Sequence, residues 1–230
     1  MDASGQMALD EAFLGRWSPN SLVLRFFRWA GGTGASVPRA VTFGYFQNYA
    51  EVARTVRSRG LMGTFPMIRR LTGGGIVYHD GDITFSLVFP WSRLETPGWV
   101  YKNLHRGVHL GLKALGCRTR LWSGAPREPA AATTVCFAGP SLMDLTHEDG
   151  QKILGGALRR RGGAGLYQGS FRPEGFGARC SRDRLVQAVV EGIGLEWRTL
   201  FRNEEASEDA LRAALRLRQR YESDEWNRRR

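Results

Sequence analysis

Between positions 82 and 89 the side chains alternate with a period of two. Ile83, Phe85, Leu87 and Phe89 fall on one face, Thr84, Ser86 and Val88 on the other, and Pro90 ends the run. Successive side chains of a strand point to opposite faces, so this segment is expected to be a half-buried strand. A different period follows it. Thr96 and Pro97 have the form of a helix N-cap with proline at the first helical position, and Val100, Leu104, Val108, Leu112 and Leu115 then recur at helical spacing up to Gly116.

The same two periods organise the rest of the chain. Helices are expected over 7–14, 48–58, 182–193 and 207–221, and strands over 21–29, 40–45, 151–158 and 164–171, with a glycine turn at 31–34. Residues 124–134 are rich in proline and alanine and follow neither period, so they read as a loop of the functional kind, leading into Val135-Cys136-Phe137. Consecutive strands with helices grouped between them imply an α+β fold, a mixed and largely antiparallel sheet flanked by helices, with residues 1–230 as a single domain.

Charge and cysteine content narrow the classes. The chain carries 33 Lys+Arg against 22 Asp+Glu, a formal charge of +11, and only Lys102, Lys113 and Lys152 are lysine. The arginines are scattered over helices, strands and the Arg228-Arg229-Arg230 tail, without a helix-turn-helix, RNP or zinc-finger pattern, which argues against a nucleic-acid partner and fits an acidic protein partner. No stretch approaches the roughly 18 apolar residues of a membrane span and the start lacks a basic leader region, so a cytoplasmic protein without a membrane partner is expected. Cys117, Cys136 and Cys180 are odd in number and lack CxxC spacing, so each is expected to be a free thiol. His105 and His109 are four apart on one helix, but the glutamate of an HExxH motif is missing, and no metal is expected.

Three segments could carry chemistry. In Arg69-Arg70-Leu71-Thr72-Gly73-Gly74-Gly75, followed by His79, the glycines let backbone N–H groups approach a ligand and the arginines offer charge to a carboxylate or phosphate; a plain hairpin is the alternative. It is not a Walker A loop, because no Gly-Lys-Ser/Thr follows. Lys152 sits in a glycine-flanked apolar strand, where its ammonium is either beside a carbonyl or thiolate, or solvated. Cys136 is either a nucleophile, its thiolate favoured by a nearby cation, or a buried small hydrophobe.

Together these segments resemble the lipoate-protein ligase and octanoyltransferase family, whose fold is shared by the catalytic domain of biotin protein ligases. The resemblance runs through Met7-Ala8-Leu9-Asp10-Glu11-Ala12, Val41 to Gln47, Arg69 to Asp80, Lys152 to Ala157 and Gln168-Gly169-Ser170, and covers most of the chain. It implies a catalytic Lys152 at the reacting acyl carbonyl. It also implies an acyl pocket drawn from Arg69, Arg70, Thr72, Gly73, Gly74, Gly75, His79, Gly155, Gly156, Ala157, Gln168, Gly169 and Ser170. Two positions depart from the pattern: Leu158 replaces a frequent polar residue, and Gln168 a frequent histidine.

Val135-Cys136-Phe137-Ala138 is similar to the cysteine segment of the cysteine-dependent octanoyltransferases with a ligase-like signature. The resemblance therefore implies octanoyl transfer from acyl carrier protein, through a Cys136 thioester, to a lysine of an apo lipoyl domain or of glycine cleavage H protein, with no cofactor required and no separate C-terminal accessory domain. The alternatives are an ATP-dependent lipoate-protein ligase, which needs ATP and Mg, and a non-catalytic acyl-domain or nucleic-acid-binding scaffold.

Overall fold

The computed structural model describes residues 1–29, 39–61, 63, 65–124, 135–176 and 180–229. The expected glycine turn at 31–34 and nearly all of the expected functional loop at 124–134 lie outside them. The elements in chain order are α1 (Ala3–Gly15), β1 (Val23–Phe27), β2 (Arg39–Phe43), α2 (Tyr49–Ser58), β3 (Met67–Arg69), β4 (Val77–Asp80), β5 (Ile83–Pro90), α3 (Pro97–Ala114), β6 (Arg120–Leu121), β7 (Leu145–Thr146), β8 (Lys152–Arg161), β9 (Ala164–Phe171), α4 (Arg182–Glu196), α5 (Glu208–Glu222) and α6 (Asp224–Asn227).

Strand β5 forms where the two-residue period places it, but it is buried along both faces rather than one. The physical reason is its place in the sheet, whose order is β1-β5-β9-β8-β7-β6 with every neighbouring pair antiparallel. Ile83, Phe85, Leu87 and Phe89 pack against Val100, Leu104 and Val108 of α3 and Leu185, Val189 and Ile193 of α4. On the other face Val88, with Leu166 of β9, meets Met7, Ala8 and Ala12 of α1, over which α5 packs through Ala214 and Tyr221. The polar residues of that face are buried too, and hydrogen-bonded: the Ser86 hydroxyl donates to Asp10 of α1.

Helix α1 starts earlier than the apolar period suggests, because the Asp2 carboxylate accepts from the Gly5 N–H and caps it. Its buried acids are matched: Arg25 of β1 forms a 2.5 Å ion pair with Asp10, and Arg220 and Tyr221 of α5 donate to Glu11. Helices α3 and α4 approach at backbone distance. A Cβ on Gly111 would stand 1.8 Å from the Ala188 carbonyl oxygen, and one on Gly192 2.1 Å from that of Gly107.

A smaller sheet, β3-β2-β4, pairs β2 with β3 in parallel and with β4 antiparallel. It packs Val41, Phe43 and Ile76 against Val52 and Val56 of α2. The Thr72-Gly75 loop thus leaves one sheet and faces the other. Among the described residues no helix is long and apolar enough to cross a membrane.

Candidate active site

The glycine loop and the cysteine meet through the backbone. Ile76, just after the third glycine, bridges Val135 in parallel, and its carbonyl accepts from the Cys136 N–H at 2.9 Å. Lys152 opens β8 across from it. Its ammonium donates to the Cys136 carbonyl oxygen at 2.9 Å, lies 3.7 Å from the Cys136 Sγ, and pairs with Asp144 Oδ2 at 2.8 Å. The side chain reaches there by folding over Gly155, where a Cβ would lie 2.3 Å from Lys152 Cε and 2.6 Å from Nζ. Lys152 is 8% exposed and Asp144 6%. Burial alone would lower the lysine pKa, but the neighbouring Cys136 and the Asp144 carboxylate together raise it above its ordinary value, so the group stays charged. Of the two readings of Lys152, the structure shows the one beside a thiol.

Cys136 is partly exposed and stands between two spaces. Outside is a cleft of about 480 Å³ lined by Phe46, Gly74, Gly75, Tyr101, Asp144 and Lys152 among others. Inside is a narrow cavity of about 30 Å³ whose apolar wall is Met7, Phe27, Trp29 and Val77, with Arg70, His79, Gly155, Ala157, Gln168, Gly169 and Ser170 completing it. Gly156 borders both. Tyr101 reaches from α3 to donate its hydroxyl to the Gly156 carbonyl at 3.3 Å, and burial raises its phenol pKa.

Arg70 is buried, and its guanidinium donates to the Thr42 hydroxyl at 2.8 Å and to the carbonyls of Gly73 and Gly75 at 2.8 and 3.0 Å. Among the described residues no carboxylate pairs with it. Burial lowers its pKa to about 10, against the raising influence of Cys136 and Tyr101, so it remains a cation at neutral pH. Thr42 passes the contact on to His79 Nε2 at 2.9 Å, and His79 Nδ1 meets Asp82 Oδ2 at 2.8 Å. The same Asp82 oxygen accepts from the Ser170 and Thr84 hydroxyls. Burial would raise the Asp82 pKa, but His79 and these hydroxyls hold it below the usual carboxylate value.

The structure gathers most of the expected site residues and places three elsewhere. Arg70, Gly74, Gly75, His79, Cys136, Lys152, Gly155, Gly156, Ala157, Gln168, Gly169 and Ser170 line one or both spaces, whereas Arg69, Thr72 and Gly73 line neither. The Arg69 guanidinium donates to the carbonyls of Gly44, Tyr45, Gln47, Trp226 and Asn227, bolting the C-terminal segment to β3. The Thr72 hydroxyl donates to Gln168 Oε1, whose Nε2 in turn donates to Asp10. Asp144, Tyr101, Thr42 and Asp82 are site residues that the sequence reading does not find. Asp144 follows a loop with no period, and only the alternation around Thr42 hints that it faces inward.

His105 and His109 do not converge. His105 lies between the Met143 carbonyl at 2.6 Å and the Tyr167 hydroxyl at 2.8 Å, with burial lowering its pKa, while His109 Nδ1 meets Thr119 Oγ1.

Comparison with known proteins places this geometry. The "Octanoyltransferase LipM" of Moorella thermoacetica is 33% identical over 184 residues, covering 74% of this chain and 61% of that protein, so the match spans under two thirds of the relative's own length. The "Octanoyltransferase LipM" of Staphylococcus aureus is 28% identical over 268 residues, covering 96% of this chain and 92% of that protein. A crystal structure of lipoate-protein ligase A bound with ATP superposes with a TM-score of 0.76 at 24% identity, over 99% of this chain and 94% of that one, which bears out the expected fold. Residues 2–174 match the lipoyl protein ligase A/B catalytic domain, and the chain belongs to that family.

Proposed function

We propose that this chain is a cysteine-dependent octanoyltransferase in which residues 1–230 act as one catalytic domain. Octanoyl-acyl carrier protein is the donor, and a lysine of an apo lipoyl domain or of glycine cleavage H protein is the acceptor. The observation that carries the reading is the partly exposed Cys136 thiol, 3.7 Å from a buried lysine kept charged by Asp144. The ammonium stands where negative charge develops during sulfur attack, and attack of a cysteine sulfur on a thioester needs no ATP.

In this reading the Cys136 sulfur attacks the thioester carbonyl from the inner end of the cleft. Negative charge develops on the carbonyl oxygen as the carbon–sulfur bond forms, and the Lys152 ammonium stabilises it. The carrier thiolate leaves and takes up a proton, and octanoyl-Cys136 remains. The acyl chain runs inward past Gly156 toward Met7, Phe27 and Trp29, whose side chains must part to widen the roughly 30 Å³ cavity for it, and the apolar wall then shields it from water. Arg70, unpaired with any carboxylate among the described residues and hydrogen-bonded to the glycine loop, holds the mouth of that cavity in shape. The acceptor lysine, as free amine, then attacks the octanoyl thioester; the Cys136 thiolate leaves, and the nitrogen gives up one proton to water as the octanoyl amide forms. Both partner classes are typically acidic, so the net charge of +11 speeds encounter.

The test is the intact mass of the protein after incubation with octanoyl-acyl carrier protein without ATP, beside the Cys136→Ala variant. The expected result is one octanoyl adduct, labile to hydroxylamine and absent from the variant. An unmodified wild-type protein that gains mass only with free octanoate or lipoate, ATP and Mg would instead establish the ligase reading.

A further inference from the structure

Cys117 and Cys180 are 63 positions apart in sequence, yet their sulfurs lie 3.4 Å apart. Cys117 is the residue that closes α3: its N–H donates to the Leu112 carbonyl at 3.0 Å. Cys180 immediately precedes Ser181, whose hydroxyl caps α4 by accepting from the Arg184 N–H. The two helices these thiols flank cannot slide apart easily, because Gly111 and Gly192 let their backbones touch. The sulfurs are therefore held together by the packing of two long helices.

Their surroundings differ from those of Cys136. The pair lies on an open cleft of about 740 Å³, lined also by Arg118, His147, Gly175 and Phe176, and shares no lining residue with the two spaces around Cys136. Cys117 is buried and Cys180 partly exposed, so a small molecule entering the cleft meets Cys180 first.

We propose that Cys117 and Cys180 are a second, non-catalytic thiol site that low-molecular-weight disulfides of the glutathione class convert into an intramolecular disulfide. Cys180 loses its proton to water and its thiolate attacks one sulfur of the small disulfide. That S–S bond breaks, one small thiol leaves with a proton from water, and a mixed disulfide stays on Cys180. Cys117 then gives its proton to water and attacks the Cys180 sulfur, expelling the second small thiol. Two cysteine thiols are oxidised and one small disulfide is reduced to two thiols.

The order of attack follows from the site. Burial and the hydrogen bond with Cys180 push the Cys117 thiol up to about 12, which suits it to resolve rather than to start the exchange. The sulfurs need to close by about 1.4 Å to reach the roughly 2.05 Å of a disulfide, a shift that side-chain rotation supplies. The product staples the end of α3 to the start of α4 and closes a long loop in the unfolded chain, which stabilises the fold. Helix α3 also carries Tyr101 and His105, which brace Gly156 and Tyr167 beside the cysteine site.

The experiment uses the full chain with Cys136→Ser, so that only the two thiols in question remain. The protein is incubated with oxidised glutathione, denatured, alkylated with iodoacetamide and weighed intact. The expected product is two hydrogens lighter than the reduced protein, takes up no alkyl group, yields a Cys117–Cys180 cross-linked peptide and melts several degrees higher, all reversed by dithiothreitol. The companion Cys136→Ser, Cys180→Ser variant should show no glutathione-dependent rise in Tm. Two alkylatable thiols after oxidation, a stable glutathione adduct on Cys180 with Cys117 still free, or a disulfide between chains would each overturn the proposal.

Discussion

The Asp144 carboxylate holds the Lys152 ammonium at 2.8 Å, and that ion pair, both partners buried, aims the lysine at the Cys136 sulfur. Burial penalises the lysine charge, and Cys136 and Asp144 beside it outweigh that penalty. The group therefore titrates above its ordinary value of 10.5. A base whose native pKa is raised contributes stability that is fully present below the unfolded value and is lost as pH rises through the native one.

Replacing Asp144 by Asn removes one of the two raising influences and leaves the burial penalty in place. The alkaline limb of the pH–rate profile for Cys136 acylation is expected to move to lower pH, and the rate at neutral pH to fall. The further change Lys152→Met is expected to cost about 10²–10³ in rate, the scale of losing one preorganised stabiliser of an oxyanion. An alkaline limb that stays in place in Asp144→Asn would show that the carboxylate does not set the charge on Lys152.

Gly155→Ala tests the path of the lysine side chain. The added methyl would sit 2.3 Å from Lys152 Cε, so the ammonium must leave its seat between Asp144 and Cys136. Overpacking of this kind costs about 1–3 kcal/mol of stability. Acylation is expected to fall far more than that loss of folded protein explains, as measured by loading rate beside thermal unfolding on the same sample.

His105 gives the fold an acid-sensitive element. Burial lowers its pKa, so the folded protein keeps it neutral where the unfolded chain already binds a proton. A group with a depressed native pKa contributes stability that is present above the unfolded value, here 6.5, and is lost as pH falls toward the native one. Urea midpoints are expected to drop between about pH 7 and pH 5. The His105→Gln variant, less stable at pH 7, is expected to show a flatter profile over that range.

The C-terminal segment is expected to be as necessary as the core. Trp226 donates its indole N–H to the Arg69 carbonyl at 3.0 Å, Asn227 Oδ1 accepts from the Arg69 N–H, and the Arg69 guanidinium returns one bond to each of their two carbonyls. The carbonyl of Trp226 takes one of those bonds at 3.1 Å and that of Asn227 another at 3.0 Å. Trp226→Ala is expected to destabilise the protein by about 3–5 kcal/mol, the range for a buried tryptophan. Arg69→Lys, which keeps charge but not the planar fork, is expected to lower Tm similarly, with KM for the acyl donor unchanged at a temperature where the variant is folded.

Much of this was legible in the sequence, for reasons that can be named. Strand β5 and helix α3 announce themselves because burial on one continuous face imposes a period, and the glycine loop because its backbone must approach other atoms closely. The burial of β5 on its second face was not legible, since it depends on the N-terminal helix α1 covering Ser86 and Val88 and on Trp29 and His79 enclosing Thr84. Cys136 and Lys152 stood out as residue types with chemistry. Asp144 did not, because its role comes from the short β7–β8 connection that folds it back onto Lys152. Arg69 and Arg70 look equivalent in sequence, and only the strand's alternation separates them: one points to Trp226 and Asn227, the other to Thr42 and the glycine carbonyls. The meeting of Cys117 with Cys180 depends wholly on how α3 packs against α4.

The most direct test of the proposed chemistry is a single-turnover chase. Octanoyl-enzyme is prepared from octanoyl-acyl carrier protein, freed of donor, and mixed with an apo lipoyl domain in the absence of ATP, with the mass of both proteins followed over time. The expected result is that the octanoyl mass leaves Cys136 at the rate at which it appears on the lipoyl-domain lysine. An octanoyl-enzyme that persists, or loses its acyl group only to water while the lipoyl domain stays unmodified, would contradict Cys136 as the carrier of the transferred group.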